Sequence, residues 1–176
     1  GMSWVPPELR ENRGEVEAAC EDELSELVSL EDIRGDLQMH STWSDGKASV
    51  EEMARSCLER GYEYFALTDH SQAMAMVQGL TPERAREQWA EIEQVQELVP
   101  GIRILKSVEV DILKDGSLDM PDDVLEQLDV LVISVHSFMD QNKKTMTDRV
   151  LRAMQHPSAD ILAHPTGRII NRREPF

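Results

Sequence analysis

Four short apolar runs in this chain end on a histidine: Asp36-Leu-Gln-Met-His40, Phe65-Ala-Leu-Thr-Asp-His70, Val130-Leu-Val-Ile-Ser-Val-His136 and Asp160-Ile-Leu-Ala-His164. Segments with apolar residues at helical spacing lie between them. The alternation predicts strands over 35–40, 62–68, 103–112, 130–135 and 160–163. The run 103–112 carries Glu109 and Asp111 in place of a terminal histidine. Strands alternating with helices demand a parallel sheet, right-handed crossovers and helices outside, so the fold class is α/β. The nearly all-apolar Val130–Val135 suits a strand covered on both faces.

The helices announce their own ends. One is expected over 14–29, with Val16, Cys20, Leu24, Leu27 and Val28 along one side. A second opens on the capping box Ser49-Val-Glu-Glu52 and stops at Gly61. A third follows Thr81-Pro82, with proline at its first position, and runs to Pro100-Gly101. A short helix follows Pro121, and a last one carries Met146, Val150, Leu151 and Met154. Asp115-Gly116 reads as a tight turn. Residues 1–34 read as a linker with a helix, and 35–176 as the α/β domain.

Composition narrows the class further. The 176 residues, 40% hydrophobic, suffice for one globular core. No run approaches the ~18 apolar residues of a membrane span. Nor is there a signal-peptide pattern, so a cytoplasmic protein without membrane contact is expected. The Gly before Met2 reads as a tag-cleavage remnant. Cys20 and Cys57 are expected to be small buried hydrophobes. The net charge of −16 repels nucleic acid at long range, so any phosphate contact must come from local basic loops.

In a parallel α/β fold the C-terminal strand ends converge on one rim. That places His40, His70, His136 and His164 together, with Glu109 late in its strand and Asp45 in the loop after His40. The fifth histidine, His156, precedes Pro157 at a helix end and reads as a solvated cap. One histidine at a strand end is ordinarily a hydrogen-bonded structural residue. Four at matching positions, with two carboxylates, form the ligand set of zinc, manganese or iron. Two or more ions would serve phosphoester hydrolysis, with Glu109 as the shared carboxylate. No Ser-His-Asp or activated cysteine arrangement competes, so a metal-bound hydroxide is the expected nucleophile, with Glu109, Asp45 and His70 as catalytic residues.

The segments DLQMHSTWSDG, LTDHS, SVEVDI, SVHS and AHP, in this order, resemble the motifs of the PHP (polymerase and histidinol phosphatase) family. GIRILKSVEVDILKDGSLDMPDDVL and HPTGRIINRREPF are similar to the PHP domain at the C-terminus of bacterial family-X DNA polymerases. The resemblance covers nearly the whole chain. It implies a distorted seven-stranded β/α barrel with usually three metals. It also implies phosphoesterase activity, in that subgroup a Mn²⁺-dependent 3′–5′ exonuclease that processes DNA ends. His40, Asp45, His70, Glu109, His136 and His164 match ligand positions.

Two departures are expected to matter. The first motif of the family is His-x-His, and Gln38 stands where the first imidazole belongs. The family also continues past Phe176 with two strands and an Asp-x-His that supplies two ligands. One to three ions are therefore expected, with more water. Open strand edges are expected to pair in a homodimer or be covered by the N-terminal helix. Lys143, Lys144, Arg168, Arg172 and Arg173, in loops at the same rim, would grip phosphates of DNA ends. Trp43 and Phe138 also sit there, where an aromatic ring either stacks on a base or packs. Two rival expectations remain: a small-molecule phosphatase of the histidinol phosphatase type, and a catalytically decayed scaffold or interaction domain, to which Gln38 points.

Overall fold

The computed structural model describes residues 1–175, in two compact units, one over Gly1–Ile33 and one beginning at Arg34. The first unit holds a single α-helix, α1 (Glu15–Glu21), flanked by 3-10 turns at Pro7–Leu9 and Leu30–Asp32. The helix expected to reach residue 29 is only seven residues long. Asp22 takes a left-handed conformation (φ 62°) and closes it, its backbone N–H donating to the Ala18 carbonyl. Among residues 1–33 only Ala19 is buried, so the apolar stripe has nothing within its unit to pack against. A short helix without such packing gains too little to propagate. Val28 is accordingly 78% exposed, and Cys20, expected inside, lies on the surface.

The second unit contains five parallel strands in sequence order, β1 (Gly35–Met39), β2 (Tyr64–Leu67), β3 (Arg103–Asp111), β4 (Val130–Ser134) and β5 (Ile161–Leu162). They curl into half a barrel, as a partial PHP-type barrel would. Helices α2 (Val50–Glu59), α3 (Pro82–Leu98), α4 (Asp122–Leu125) and α5 (Lys143–Met154) cross between them. β1 and β5 each pair on one side only among the described residues. No helix among those residues is long and apolar enough to cross a membrane.

The core forms where sequence periodicity places it. Val50, Met53, Ala54 and Cys57 of α2 and Ala85, Trp89, Ile92 and Val95 of α3 are buried against Phe65, Leu67, Ile104 and Val108 of the sheet. Both expected helix starts are realised: Ser49 exchanges hydrogen bonds with Glu52, and the Thr81 hydroxyl accepts from the Arg84 N–H. Gly61, at φ 79°, follows α2 in the conformation that favours glycine. Gly116, at φ 87°, sits in the turn that folds Leu118 back onto Ile112.

The β1–β2 register slips by one residue between Asp36 and Met39. Such a bulge bends a strand and re-aims its side chains. Here it lies beside Gln38, whose backbone N–H donates to the Asp36 carboxylate (2.8 Å). Pairing runs on past the end of β2, with His70 bridged directly to Glu109. That register brings these two side chains to one level of the rim.

Ser49→Ala removes one half of the α2 capping box. It is expected to lower unfolding stability by about 1 kcal/mol, read as a shift in the urea midpoint without a change in slope.

Candidate metal centre

Glu109 is 2% exposed and sits at the middle of the cluster. Its Oε2 lies 3.3 Å from His40 Nε2, 3.4 Å from His70 Nδ1 and 2.9 Å from the Gln38 side-chain amide. Its Oε1 lies 2.9 Å from His164 Nε2 and 3.5 Å from His136 Nε2. One oxygen thus faces one group of nitrogen donors and the other faces a second. Asp45 adds a third carboxylate surface: Oδ1 is 2.9 Å from His40 Nδ1, and Oδ2 is 3.7 Å from His70 Nε2. Four imidazoles form a row, with neighbouring ring centroids 4.4, 4.9 and 5.0 Å apart.

The elements explain the convergence. β1, β2, β4 and β5 each deliver a histidine one to three residues past their last strand residue, and β3 contributes Glu109 two residues from its end. The Asp45 loop returns tightly to its starting point. A Cβ on Gly46 would come within 2.1 Å of the His40 carbonyl oxygen, so only glycine closes this turn. Two carboxylates that sequence reasoning left without a role then fix the imidazoles and the loop. Asp111 accepts from the His136 backbone N–H (2.9 Å), from His136 Nδ1 (3.2 Å) and from the Ser137 hydroxyl (3.1 Å). Asp69 is fully buried and accepts from the Ser41 N–H and hydroxyl, the Ser44 hydroxyl and the Gln88 amide, at 2.6–2.9 Å. The available signal was alternation: Asp111 is two residues from Glu109 and shares its face, whereas Asp69 neighbours His70 and takes the opposite one.

These geometries fit cations. When His136 and His40 are neutral and donate through Nδ1 to Asp111 and Asp45, each Nε2 turns a lone pair to Glu109 across 3.3–3.5 Å. Lone pair against carboxylate is repulsive unless a proton or metal lies between. Donors about 2.0–2.2 Å from a shared tetrahedral ion stand ~3.4 Å apart, which is the spacing seen for the contacts of His40, His70 and His136 with Glu109. His70 Nδ1 is buried with no hydrogen-bond partner, the orphan that a metal would satisfy. Two sets of side chains could each hold an ion: His40, Asp45 and His70, and His70, Glu109 and His136.

Electrostatics favour the same conclusion. Burial would raise the Glu109 pKa, but hydrogen bonds with His164 and His40 and the fields of His136 and His70 outweigh it and hold the carboxyl well below its usual range. Burial likewise works against the charged form of Asp45, and its hydrogen bond with His40 keeps its pKa low. Burial depresses the pKa of His70 despite the nearby carboxylates. His40 experiences the same burial, overcome by its bonds to Glu109 and Asp45, so its pKa is raised. The bond of His164 to Glu109 raises its pKa against a smaller burial effect.

Gln38 faces the cluster as its register requires. Its side-chain nitrogen donates to Glu109 and lies 3.2 Å from His40 Nε2. His156 stands apart, accepting from the Ser158 N–H (3.2 Å), as a local cap does. The basic residues are not gathered like the histidines. Lys144 pairs along its own helix with Asp148 (2.5 Å), and Lys143 lines a cavity with Val150, Leu151 and Pro165. Arg168, Arg172 and Arg173 lie in the turns after His164, and Arg173 Nε donates to the Gly167 carbonyl (2.6 Å). Trp43 is packed rather than free: its indole N–H donates to Glu91 (2.7 Å), and Arg84 lies over its ring.

The family model for the PHP domain matches residues 36–170, a span that contains every side chain of the cluster. This chain belongs to the PHP domain family. It is 47% identical over 173 residues to the DNA polymerase/3'-5' exonuclease PolX of Bacillus subtilis (strain 168), a match covering 98% of this chain and 30% of that protein. A probable phosphatase of Acetivibrio thermocellus is 34% identical over 121 residues, 67% of this chain and 48% of the relative. Another, from Thermoanaerobacter sp. (strain X514), is 29% identical over 130 residues, 70% and 51% of the two chains. The chain therefore spans about a third of the polymerase relative and about half of each of these phosphatases. PHP domains are metal-dependent, and the His, Asp and Glu side chains just described are its candidate sites here.

The shifts set opposite pH slopes with and without metal. In the chelated protein, His40 and His164, raised above about 6.5, contribute stability that is complete below that pH and is lost as pH rises through their folded values. His70, lowered, acts in the opposite sense and costs stability as pH falls below 6.5. Glu109 contributes stability above about pH 4.5 that is lost only on stronger acidification. The raised imidazoles predict a Tm that falls from pH 6 to pH 8 in chelator, a fall that His70 opposes. In excess Mn²⁺ the Tm should rise over that range, since the ligands bind as neutral imidazoles. Calorimetry in both buffers checks the pair of slopes.

Proposed function

We propose that this domain is a metal-dependent phosphoesterase that removes nucleotides from DNA ends, acting as a 3′–5′ exonuclease. The observation that carries the proposal is the division of Glu109 between two groups of imidazoles, the arrangement a carboxylate needs to bridge two cations. The 47% identity to a polymerase/3'-5' exonuclease supports the choice of substrate. Divalent ions (zinc, manganese or iron) held there would supply Lewis acidity and a hydroxide nucleophile near neutral pH.

The residues of the chain do the rest. Glu109 offers one oxygen to the His40 and His70 side and one to the His136 and His164 side. Asp111 and Asp45 keep the protons of His136 and His40 on Nδ1, leaving Nε2 free for coordination. Asp45, at the exposed edge of the cluster, would orient the attacking water. Lys143, Lys144, Arg168, Arg172 and Arg173 provide the cations that draw a phosphate backbone toward an otherwise acidic chain.

Two observations sustain other readings. The phosphatase relatives favour a small phosphate monoester as substrate. The amide of Gln38, a donor hydrogen-bonded to Glu109 Oε2, favours a decayed scaffold, since an amide is a poor substitute for imidazole on a transition metal.

Release of nucleotides from an end-labelled single strand in Mn²⁺, alongside metal analysis, separates the three. An active nuclease loses activity on the order of 100-fold or more in Glu109→Gln and weakens steeply with added salt. A phosphatase turns over only the small ester and shows little salt dependence. Metal without turnover of either substrate identifies a scaffold. Gln38→His is expected to raise metal content, because it puts an imidazole where the Gln38 amide now lies 2.9 Å from Glu109 Oε2.

A further inference from the structure

Arg149 is the unexpected group in the core of this fold. It occupies the inner face of α5 between Met146 and Ala153 and is 2% exposed. Its hydrogen bonds run chiefly to backbone carbonyls. Nε donates to Leu113 (2.8 Å), Nη1 to Ser137 (2.9 Å) and Phe138 (3.4 Å), and Nη2 to Ile112. Nη1 also meets the side-chain oxygen of Gln141 (3.2 Å), whose amide nitrogen donates to the Lys114 carbonyl (3.4 Å). One guanidinium therefore ties together the loops that follow β3 and β4. These loops begin at Asp111 and His136, the bonded pair at the edge of the metal centre.

The two loops hold Phe138 and Lys114 in a defined relation. Phe138 has φ 51°, a conformation that bulky side chains rarely adopt and that recurs at functional sites. The result is outward display: the residue is 51% exposed, unlike Trp43, the other rim aromatic. The Lys114 ammonium lies 5.3 Å from the ring centroid, over one face. No carboxylate among the described residues forms an ion pair with it. Phe138 follows His136 by two residues, so its Cα lies within ~7 Å of the His136 Cα. An exposed ring with an unneutralised cation beside it, held firmly at the rim, matches the chemistry of single-stranded nucleic acid recognition.

We propose that Phe138 and Lys114 form the nucleotide rest of this site. The free face of the ring stacks on the unpaired base at a DNA end, and the ammonium contacts the adjoining phosphate. Stacking of this kind accepts any base, which suits an enzyme that works along a strand without regard to sequence. The inference rests on the DNA-end reading of the metal centre and adds to it the residues that take the substrate.

The test measures binding and turnover together. Fluorescence anisotropy with a labelled single-stranded oligonucleotide gives Kd, and nucleotide release in Mn²⁺ gives KM and kcat. Both are measured for the parent chain and for Phe138→Ala, Phe138→Tyr and Lys114→Ala, with metal content determined for each. Phe138→Ala is expected to raise Kd and KM about tenfold or more, and Phe138→Tyr to restore them. Lys114→Ala is expected to weaken binding and to reduce the dependence of log Kd on log salt by about one phosphate contact. Metal content should match the parent in every variant. Kd and KM within twofold of the parent in both alanine variants would overturn this inference and leave the nuclease reading standing. So would a loss of metal in step with the loss of affinity, since these residues would then act through the cluster. If the metal-loaded parent neither binds nor cleaves the oligonucleotide, both readings fall.

Discussion

A buried negative charge governs this structure. Glu109 is almost inaccessible to water, and an ionised carboxylate in such a place is tolerated only with compensating partners. Every strand of the half-barrel supplies something toward that end. β1 brings Gln38 and His40, β2 brings His70, β3 brings the carboxylate itself, and β4 and β5 bring His136 and His164. The same side chains that balance the charge in the free protein have the geometry to hand it over to cations. The centre therefore serves folding and chemistry through one electrostatic requirement.

Around it lies a layer that controls direction rather than charge. Asp111 orients His136 through its backbone N–H and its ring Nδ1, and its own backbone N–H is held by the Ser71 hydroxyl (2.9 Å). Asp69 gathers Ser41 and Ser44 and so shapes the loop that presents Asp45. Arg149 fixes the two loops beyond Asp111 and His136. These groups sit deep, under 3% exposed, and their hydrogen bonds reach across as many as 40 residues of chain. They limit the motion of imidazoles that would otherwise rotate freely, which is what preorganised sites need.

Much of this was legible in the order of residues. Strand and helix periodicity located β1 to β5 and α2 to α5, and helix caps at Ser49 and Thr81 marked the starts of α2 and α3. Histidines at four strand ends, with Glu109 and Asp45, were enough to anticipate a common centre because parallel strands must bring their C-terminal ends to one side. The N-terminal stripe misled for a physical reason. Amphipathic spacing shows what a helix could bury, and residues 1–33 contain no core to bury it in, so Asp22 ends α1 early. Cys20 fell on the same stripe and remained exposed for the same cause.

What the sequence determined by itself was periodicity and chemistry: which segments are strands, which side chains can bind a cation, and at which end of the sheet they gather. Tertiary structure alone decided pairing at the level of atoms. It set which oxygen of Glu109 faces His40 and which faces His164, turned Gln38 inward beside a bulge, packed Trp43 away and left Phe138 displayed. The reason is range. Periodicity and capping are settled within a few residues, whereas these contacts join segments tens of residues apart, and their geometry exists only once the strands are in register.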